Sequence, residues 1–202
     1  MLVKGFFAAY LILWFYLAFE PLDRFDWVLD NLLVFLLGPP FLYSARRFRF
    51  SDRSYILIIV YLMLCAVGAH WSYSFVPAGD WLKESLGLGR NHYDRIVHFS
   101  FGLLLAYPLK EWLERVAKVA PPWPYFFSPL LLVAVSAIFE CIEAIVVEMV
   151  NPELGVIFLG AQGDIWDAQK DIIVALYGGA LAMLAARLTS VARRTPPKDL
   201  NF

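Results

Sequence analysis

Six stretches of the chain are apolar over nearly the length a bilayer requires, about 20 residues at 1.5 Å per residue. They cover about 3–19, 27–44, 54–72, 95–112, 125–149 and 164–187. This pattern predicts an all-α polytopic membrane helix bundle with six transmembrane helices. The second stretch is the least regular. It carries Asp30 and Asn31 near its start and Gly38-Pro39-Pro40 near its end, which predicts a kink or local unwinding. Pro108 interrupts the fourth, which is expected to finish as an interfacial helix through Glu114.

Orientation follows from the basic residues between the stretches. One side receives Lys4, Arg46, Arg47, Arg49, Arg53, Lys110, Arg115, Lys118, Arg187, Arg193, Arg194 and Lys198; the other receives Arg24, Lys83, Arg90 and Arg95. The excess predicts an N-in, C-in topology. The outer loops are then about 20–26, 73–93 and 150–163, and Trp71, Tyr73, Phe75 and Trp81 along the second suit headgroup level. Residues 1–190 read as a single transmembrane helical domain and 191–202 as a polar cytoplasmic tail.

Composition agrees with the pattern. The chain has 202 residues, 60% of them hydrophobic, and a mean hydropathy of +0.62. A net charge of -1 argues against nucleic acid as a partner. Cys65 and Cys141 fall inside separate apolar stretches and read as packing residues, not a disulfide framework. The first stretch ends in Phe19-Glu20-Pro21 instead of a small-residue cleavage site, so it reads as a retained anchor.

The candidate chemistry lies where ionisable groups meet the apolar stretches. Asp94 and His98 share a face at the head of the fourth, four residues apart. Glu140 and Glu143 share a face in the fifth. Asp164, Asp167 and Asp171 descend one stripe of the sixth. With the N-in topology all three sets fall in the outer half of the bilayer, where each charge costs roughly 2.5–3.5 kcal/mol on a lenient scale. Carboxylates crowded in this way need compensation by a divalent cation, by protons or by basic partners. Acids with one or two imidazoles suit Zn, Mn or Fe, and an all-oxygen subset suits Mg or Ca.

Each residue also has a plainer reading. Asp164-x-x-Asp167 resembles a capping box, and Asp94 could cap the fourth helix. His98 could be a core imidazole bonded to a carboxylate, and Lys170 could neutralise Asp167 or Asp171 in a structural ion network. Arg90 and Arg95 could hold a lipid phosphate or snorkel to headgroups. Asp30 could point toward the same cavity. Ala175, Gly178, Gly179 and Ala182 offer a small-residue surface for close helix packing. P-loop, dinucleotide, nucleophile-elbow and H-E-x-x-H motifs are absent from the sequence.

Three motifs carry a family resemblance: Asn-His-Tyr-Asp-Arg-x-x-His-Phe at 91–99, Glu-x-x-Glu at 140–143, and Gly-Asp-x-Trp-Asp-x-Gln-Lys-Asp at 163–171. They resemble the YjdF-like family of bacterial inner-membrane proteins, and the likeness spans nearly the whole chain. A more distant likeness is to VanZ-like membrane proteins, associated with glycopeptide-antibiotic tolerance. Asp94, Arg95, His98, Glu140, Asp167 and Gly178 match that pattern, Glu143 stands where it has Gln, and Ala175 departs from its acid-x-x-x-Asn spacing. The resemblance implies a multi-pass protein of the bacterial inner (plasma) membrane.

The residues support a functional expectation with named roles. His98, Glu140, Asp167, Asp171, Asp94 and Asp164 are candidate ligands for a divalent ion (Zn, Mn, Fe or Mg). Glu143 is the candidate general base; His92 is the second catalytic candidate and, like Arg95, a candidate to hold the substrate headgroup. Arg90, Arg95 and Lys170 are candidate contacts to a substrate headgroup. Membrane lipids are the expected partners and a lipid or lipid-linked envelope molecule the expected substrate of a hydrolase or transferase. Two alternatives stay open: a non-catalytic envelope or assembly protein with a structural polar network, and an ion- or proton-coupled transporter.

Overall fold

The computed structural model describes residues 1–44, 47–150 and 162–194. Seven α-helices make up nearly all of them: α1 (Leu2–Leu17), α2 (Arg24–Ser44), α3 (Asp52–His70), α4 (Pro77–Leu86), α5 (Tyr93–Arg115), α6 (Trp123–Val150) and α7 (Asp167–Arg194). Arg46, Lys198 and most of the expected third outer loop lie outside the described residues.

Among the described residues, three helical segments are long and apolar enough to cross a membrane: Asp52–His70, Trp123–Met149 and Asp167–Ser190. Leu2–Leu17 is a shorter apolar helix. The chain is thus an all-helical membrane protein. Helices α2 and α5 have comparable length but carry more charge, including Arg24, Asp26 and Asp30 on α2 and Asp94, Arg95, Lys110 and Glu111 on α5.

Several boundaries differ from the sequence reading. Helix α5 runs unbroken through Pro108 to Arg115, with no separate interfacial piece. Proline removes one backbone hydrogen bond, but Ala106, Pro108 and Leu113 are buried, and their packing keeps the helix continuous. Helix α2 likewise continues past Pro39 and Pro40 to Ser44. The segment between α3 and α5 contains α4, with Pro77 in its first turn and Gly87 as its left-handed cap at φ 62°, the usual proline-start and glycine-stop signals. Trp81 and Leu86 of α4 are exposed, as expected of anchors at headgroup level.

The bundle is inside-out relative to a soluble protein. Helix α6 exposes Leu130, Leu131, Val135, Ile138, Ile142 and Ile145 while burying Ser128 and Ser136. Helix α7 exposes Ile173, Tyr177, Leu181, Leu184 and Leu188 while burying Asp167, Asp171 and Ala175. In hydrocarbon an exposed leucine costs nothing, so small and polar residues take the helix interfaces. Cys141 follows the same logic and lies exposed on α6, not buried as expected; Cys65 is partly buried, and both thiols are free.

Helix α5 is the centre of the bundle, packed against α3, α6 and, most extensively, α7. The α5–α7 crossing is a backbone contact. A Cβ on Gly102 would lie 1.9 Å from the carbonyl oxygen of Ala175, and one on Gly178 would lie 2.1 Å from that of Phe99. No side chain fits between these helices at the crossing.

Opposite ends of the bundle are tied by different chemistry. At one end Glu111 of α5 accepts hydrogen bonds from Ser51 N–H (2.8 Å), Ser51 Oγ (2.8 Å), Ser54 Oγ (2.5 Å) and Arg115. Lys110 and Arg187 both lie over the Tyr125 ring at this end. At the other end the His70 ring nitrogen Nδ1 lies 2.7 Å from Leu17 O, and Leu22 N–H donates to His70 O at 2.9 Å. Glu111→Gln is expected to lower unfolding stability by about 1–2 kcal/mol, since one carboxylate serves several donors and the amide cannot. Thermal unfolding in detergent measures this; an unchanged midpoint would show that the serine staple contributes nothing.

Candidate metal centre

The site forms at the end of the bundle where α5 and α7 begin and α6 approaches its own C-terminus. Asn91, 1% exposed, sets its frame. Its Oδ1 accepts from Tyr93 N–H, and its Nδ2 donates to Val76 O and to Asp80 Oδ1, each at 3.0 Å. The Gln162 amide then clasps the Asn91 backbone, with Oε1 accepting from N–H at 3.0 Å and Nε2 donating to C=O at 2.9 Å. Gln162 has a positive φ of 47° and precedes Gly163 at 86°. This turn delivers the chain into α7. Gly79 leaves the room Asn91 requires, since a Cβ there would fall 1.8 Å from Asn91 Oδ1.

Three carboxylates converge inside this frame. Asp94 of α5 and Asp167 and Asp171 of α7 each offer one oxygen, all within 4.8 Å of one another. Asp167 and Asp171 are 6% and 2% exposed. Asp94 lies in the first turn of α5, but Asn91, not Asp94, receives the local N–H bond. Asp171 Oδ1 is buried without a hydrogen-bond partner.

His98 and Glu140 form a second group beside the first. His98 Nε2 lies 3.2 Å from Glu140 Oε1 and 3.7 Å from Asp94 Oδ1, so Asp94 joins the two groups. His98 Nδ1 meets Ser136 Oγ at 3.3 Å. Glu143, one turn beyond Glu140 on α6, is within electrostatic range of Asp94, Asp171 and Asp30. Asp30 of α2 is likewise within electrostatic range of Asp94.

The basic residues close the outer rim. Arg90 grips Asp167 with both terminal nitrogens, NH2 at 3.1 Å and NH1 closer still. Arg95 donates to Asp164 at 2.6 Å and to Asp167 at 2.9 Å. Lys170 bonds Asp164 at 2.6 Å, not Asp167 or Asp171 as the sequence had suggested, because it lies on the exposed side of α7. Asp164 sits before α7 and accepts from Trp166 N–H, so the helix starts one turn later than expected and the expected capping box does not form.

Electrostatics follow from this geometry. Lys170 and then Arg95 hold the Asp164 carboxyl well below the usual carboxylate range. Burial, and the neighbouring Arg95 and Arg90, push the His92 imidazole down. His92 Nδ1 lies 3.4 Å from Arg95 NH1. A guanidinium only donates, so the neutral ring accepts at Nδ1 and carries its proton on Nε2. Counted as ionised, Asp94, Asp164, Asp167, Asp171 and Glu140 oppose three permanent cations, Arg90, Arg95 and Lys170. On that count the surplus is two negative charges, the charge of one divalent ion.

The sequence reading selected the acids, His98 and the arginines by their depth and spacing. It passed over Asn91, Gln162 and Ser136 as site-building residues. Uncharged amides and hydroxyls leave little trace in a hydropathy pattern; only the adjacency of Asn91 to His92 and of Gln162 to Gly163-Asp164 marked them.

With the geometry in view, the relatives can be placed. The sequence matches the family described as "Predicted membrane protein (DUF2238)" over residues 2–191. The chain belongs to this family. It is also 32% identical over 173 residues to the "Inner membrane protein YjdF" of Escherichia coli (strain K12), covering 84% of this chain and 81% of that protein. No solved structure matches it. As a member of this family the chain is a multi-pass protein of the inner membrane, and the resemblance read from its three motifs holds.

Proposed function

We propose that this family member binds a divalent cation between Asp94, Asp167 and Asp171 and acts as a hydrolase or transferase on a lipid or lipid-linked envelope substrate. The supporting observation is the meeting of three carboxylates, each with an oxygen within 4.8 Å of the others, where Asp171 also has a buried oxygen, Oδ1, without a hydrogen-bond partner. In this reading the chain crosses the bilayer six times with both termini cytoplasmic, and the site opens toward the periplasm. The basic excess on the opposite side supports that orientation. An all-oxygen triad suits Mg or Mn, and recruitment of His98 would favour Mn, Fe or Zn.

The ion would supply Lewis-acid activation of an ester or phosphoryl oxygen. The chain's own groups do the rest. Glu140 orients His98 beside Asp94, and Glu143 is the general base. His92, neutral for the reasons above, can take or relay a proton at the rim, and Arg90, Arg95 and Lys170 receive the headgroup.

Protein purified in detergent without chelator is expected to carry about one divalent ion per chain, measured by elemental analysis. His98→Ala should weaken Mn2+ binding about tenfold, as loss of a neighbour to a metal ligand does. Metal-free protein whose melting temperature ignores added Mn2+ would overturn this reading.

A second reading is favoured by one observation. The two-pronged Arg90–Asp167 pair is also what a purely structural ion network would contain. In that case the acids fix helix register and bind nothing. Coupled transport has less support: Ala106, Leu132, Met183 and Ala186, with Phe101 and Leu105 around them, form an apolar layer beneath the site.

A further inference from the structure

Arg95 has one nitrogen left without a hydrogen-bond partner. Its NH2 donates to Asp164 and Asp167, and its NH1 faces His92. Its Nε is shielded from solvent and has no hydrogen-bond partner. The facing atom is Asp171 Oδ1, 3.8 Å away, beyond hydrogen-bond reach and itself unpartnered. A buried donor and a buried acceptor therefore stand side by side without bonding. A buried polar atom in that state carries the full cost of its lost hydration. A cation on the Asp171 oxygen and an anionic oxygen on the Arg95 N–H would satisfy both.

The surrounding groups specify the anion. Arg95 and Lys170 both end on one carboxylate, Asp164, which lies before the helix and not within it. That carboxylate occupies the place on two cations that an incoming oxyanion would need. A tetrahedral phosphoryl group offers several acceptor oxygens, matching an Nε–H, a terminal guanidinium N–H and an ammonium at once.

We propose that the site takes a phosphate-bearing ligand. One phosphoryl oxygen is shared between the bound cation and Arg95 Nε–H, and the ligand displaces Asp164 from Arg95 and Lys170. This rests on the cation site proposed above and names the ligand chemistry at it. Counted as ionised, the cluster also sets an order: without the ion it is net negative and repels an anion, and with the ion it is near neutral and admits one.

The test uses the full chain in detergent and isothermal titration calorimetry. Mn2+ is titrated first, then inorganic phosphate and dihexanoyl phosphatidic acid, each with and without Mn2+. Phosphate-group binding is expected only in the Mn2+-loaded protein. Arg95→Lys keeps the charge but loses the Nε–H, and should weaken that binding about tenfold with Mn2+ affinity nearly unchanged. Asp164→Asn lies outside the helices and should strengthen it about threefold by releasing two cations. The retained Mn2+ titration reports that each variant is folded. Tighter binding of the phosphatidic acid identifies a lipid headgroup as the source, and tighter binding of inorganic phosphate identifies the free anion. Mn2+ binding with no phosphate binding, or phosphate binding indifferent to both substitutions, overturns this proposal alone. Absence of Mn2+ binding overturns it together with the cation site.

Discussion

Asp171→Asn is expected to weaken Mn2+ binding by at least about 100-fold while making the metal-free protein more stable. The two effects have one cause. Asp171 is 2% exposed, and its Oδ1 has no hydrogen-bond partner. It shares a space less than 5 Å across with Asp94 and Asp167. Without an ion, three carboxylates at this separation repel, and neutralising one relieves about 1–3 kcal/mol at the effective dielectric of protein sites. With an ion, the same carboxylate is a ligand whose charge the amide cannot replace.

The melting temperature of the variant should therefore rise without metal and no longer respond to Mn2+. For the unmodified chain, Mn2+ at 100 times its dissociation constant should add about 2.7 kcal/mol. The structural-network reading gives the opposite sign. There Asp171 helps hold Arg95, its nearest cation at 3.8 Å, and the substitution lowers stability at every metal concentration. A destabilised variant with an unaltered Mn2+ response would sink the metal site.

Gly102→Leu should yield no folded protein, and Gly102→Ala should cost about 3 kcal/mol or more, at the upper end of overpacking effects. The reason is the 1.9 Å between a Cβ at this position and the Ala175 carbonyl oxygen. A backbone oxygen cannot swing aside as a side chain can, so α5 and α7 must separate. Separation also pulls Asp94 on α5 away from Asp167 and Asp171 on α7, so Gly102→Ala should lose cation affinity along with stability. Gly178→Ala, with Phe99 O at 2.1 Å, should behave in the same way. Unfolding in detergent with parallel Mn2+ titration tests the coupling; full Mn2+ affinity in a destabilised Gly102→Ala chain would show that the site does not depend on this crossing.

Much of this was legible along the chain. A bilayer admits few charges, so Asp94, His98, Glu140, Asp167 and Asp171 stood out wherever they interrupted apolar runs, and helical spacing placed each set on one face. The small residues Ala175, Gly178 and Gly179 announced a close crossing for the same reason, that lipid offers no hydrophobic drive and helices must approach closely to adhere. Local signals misled where packing overruled them. Pro108 and Pro39-Pro40 look like helix breakers, yet α5 and α2 run through them. Asp164-x-x-Asp167 looks like a capping box, yet Asp164 bonds Arg95 and Lys170 across space.

Membrane residence, helical class and the identity of the ionisable residues follow from the order of residues alone, because each reflects the cost of putting one side chain in hydrocarbon. The pairing of those residues does not. Whether Arg95 bonds Asp164 or Asp167, whether His98 meets Glu140, and which oxygen is left without a hydrogen-bond partner depend on distances between helices far apart in sequence. The backbone crossing at Gly102 and Gly178, with the Asn91–Gln162 clasp and the approach of α6, sets those distances, and no one-dimensional pattern encodes them.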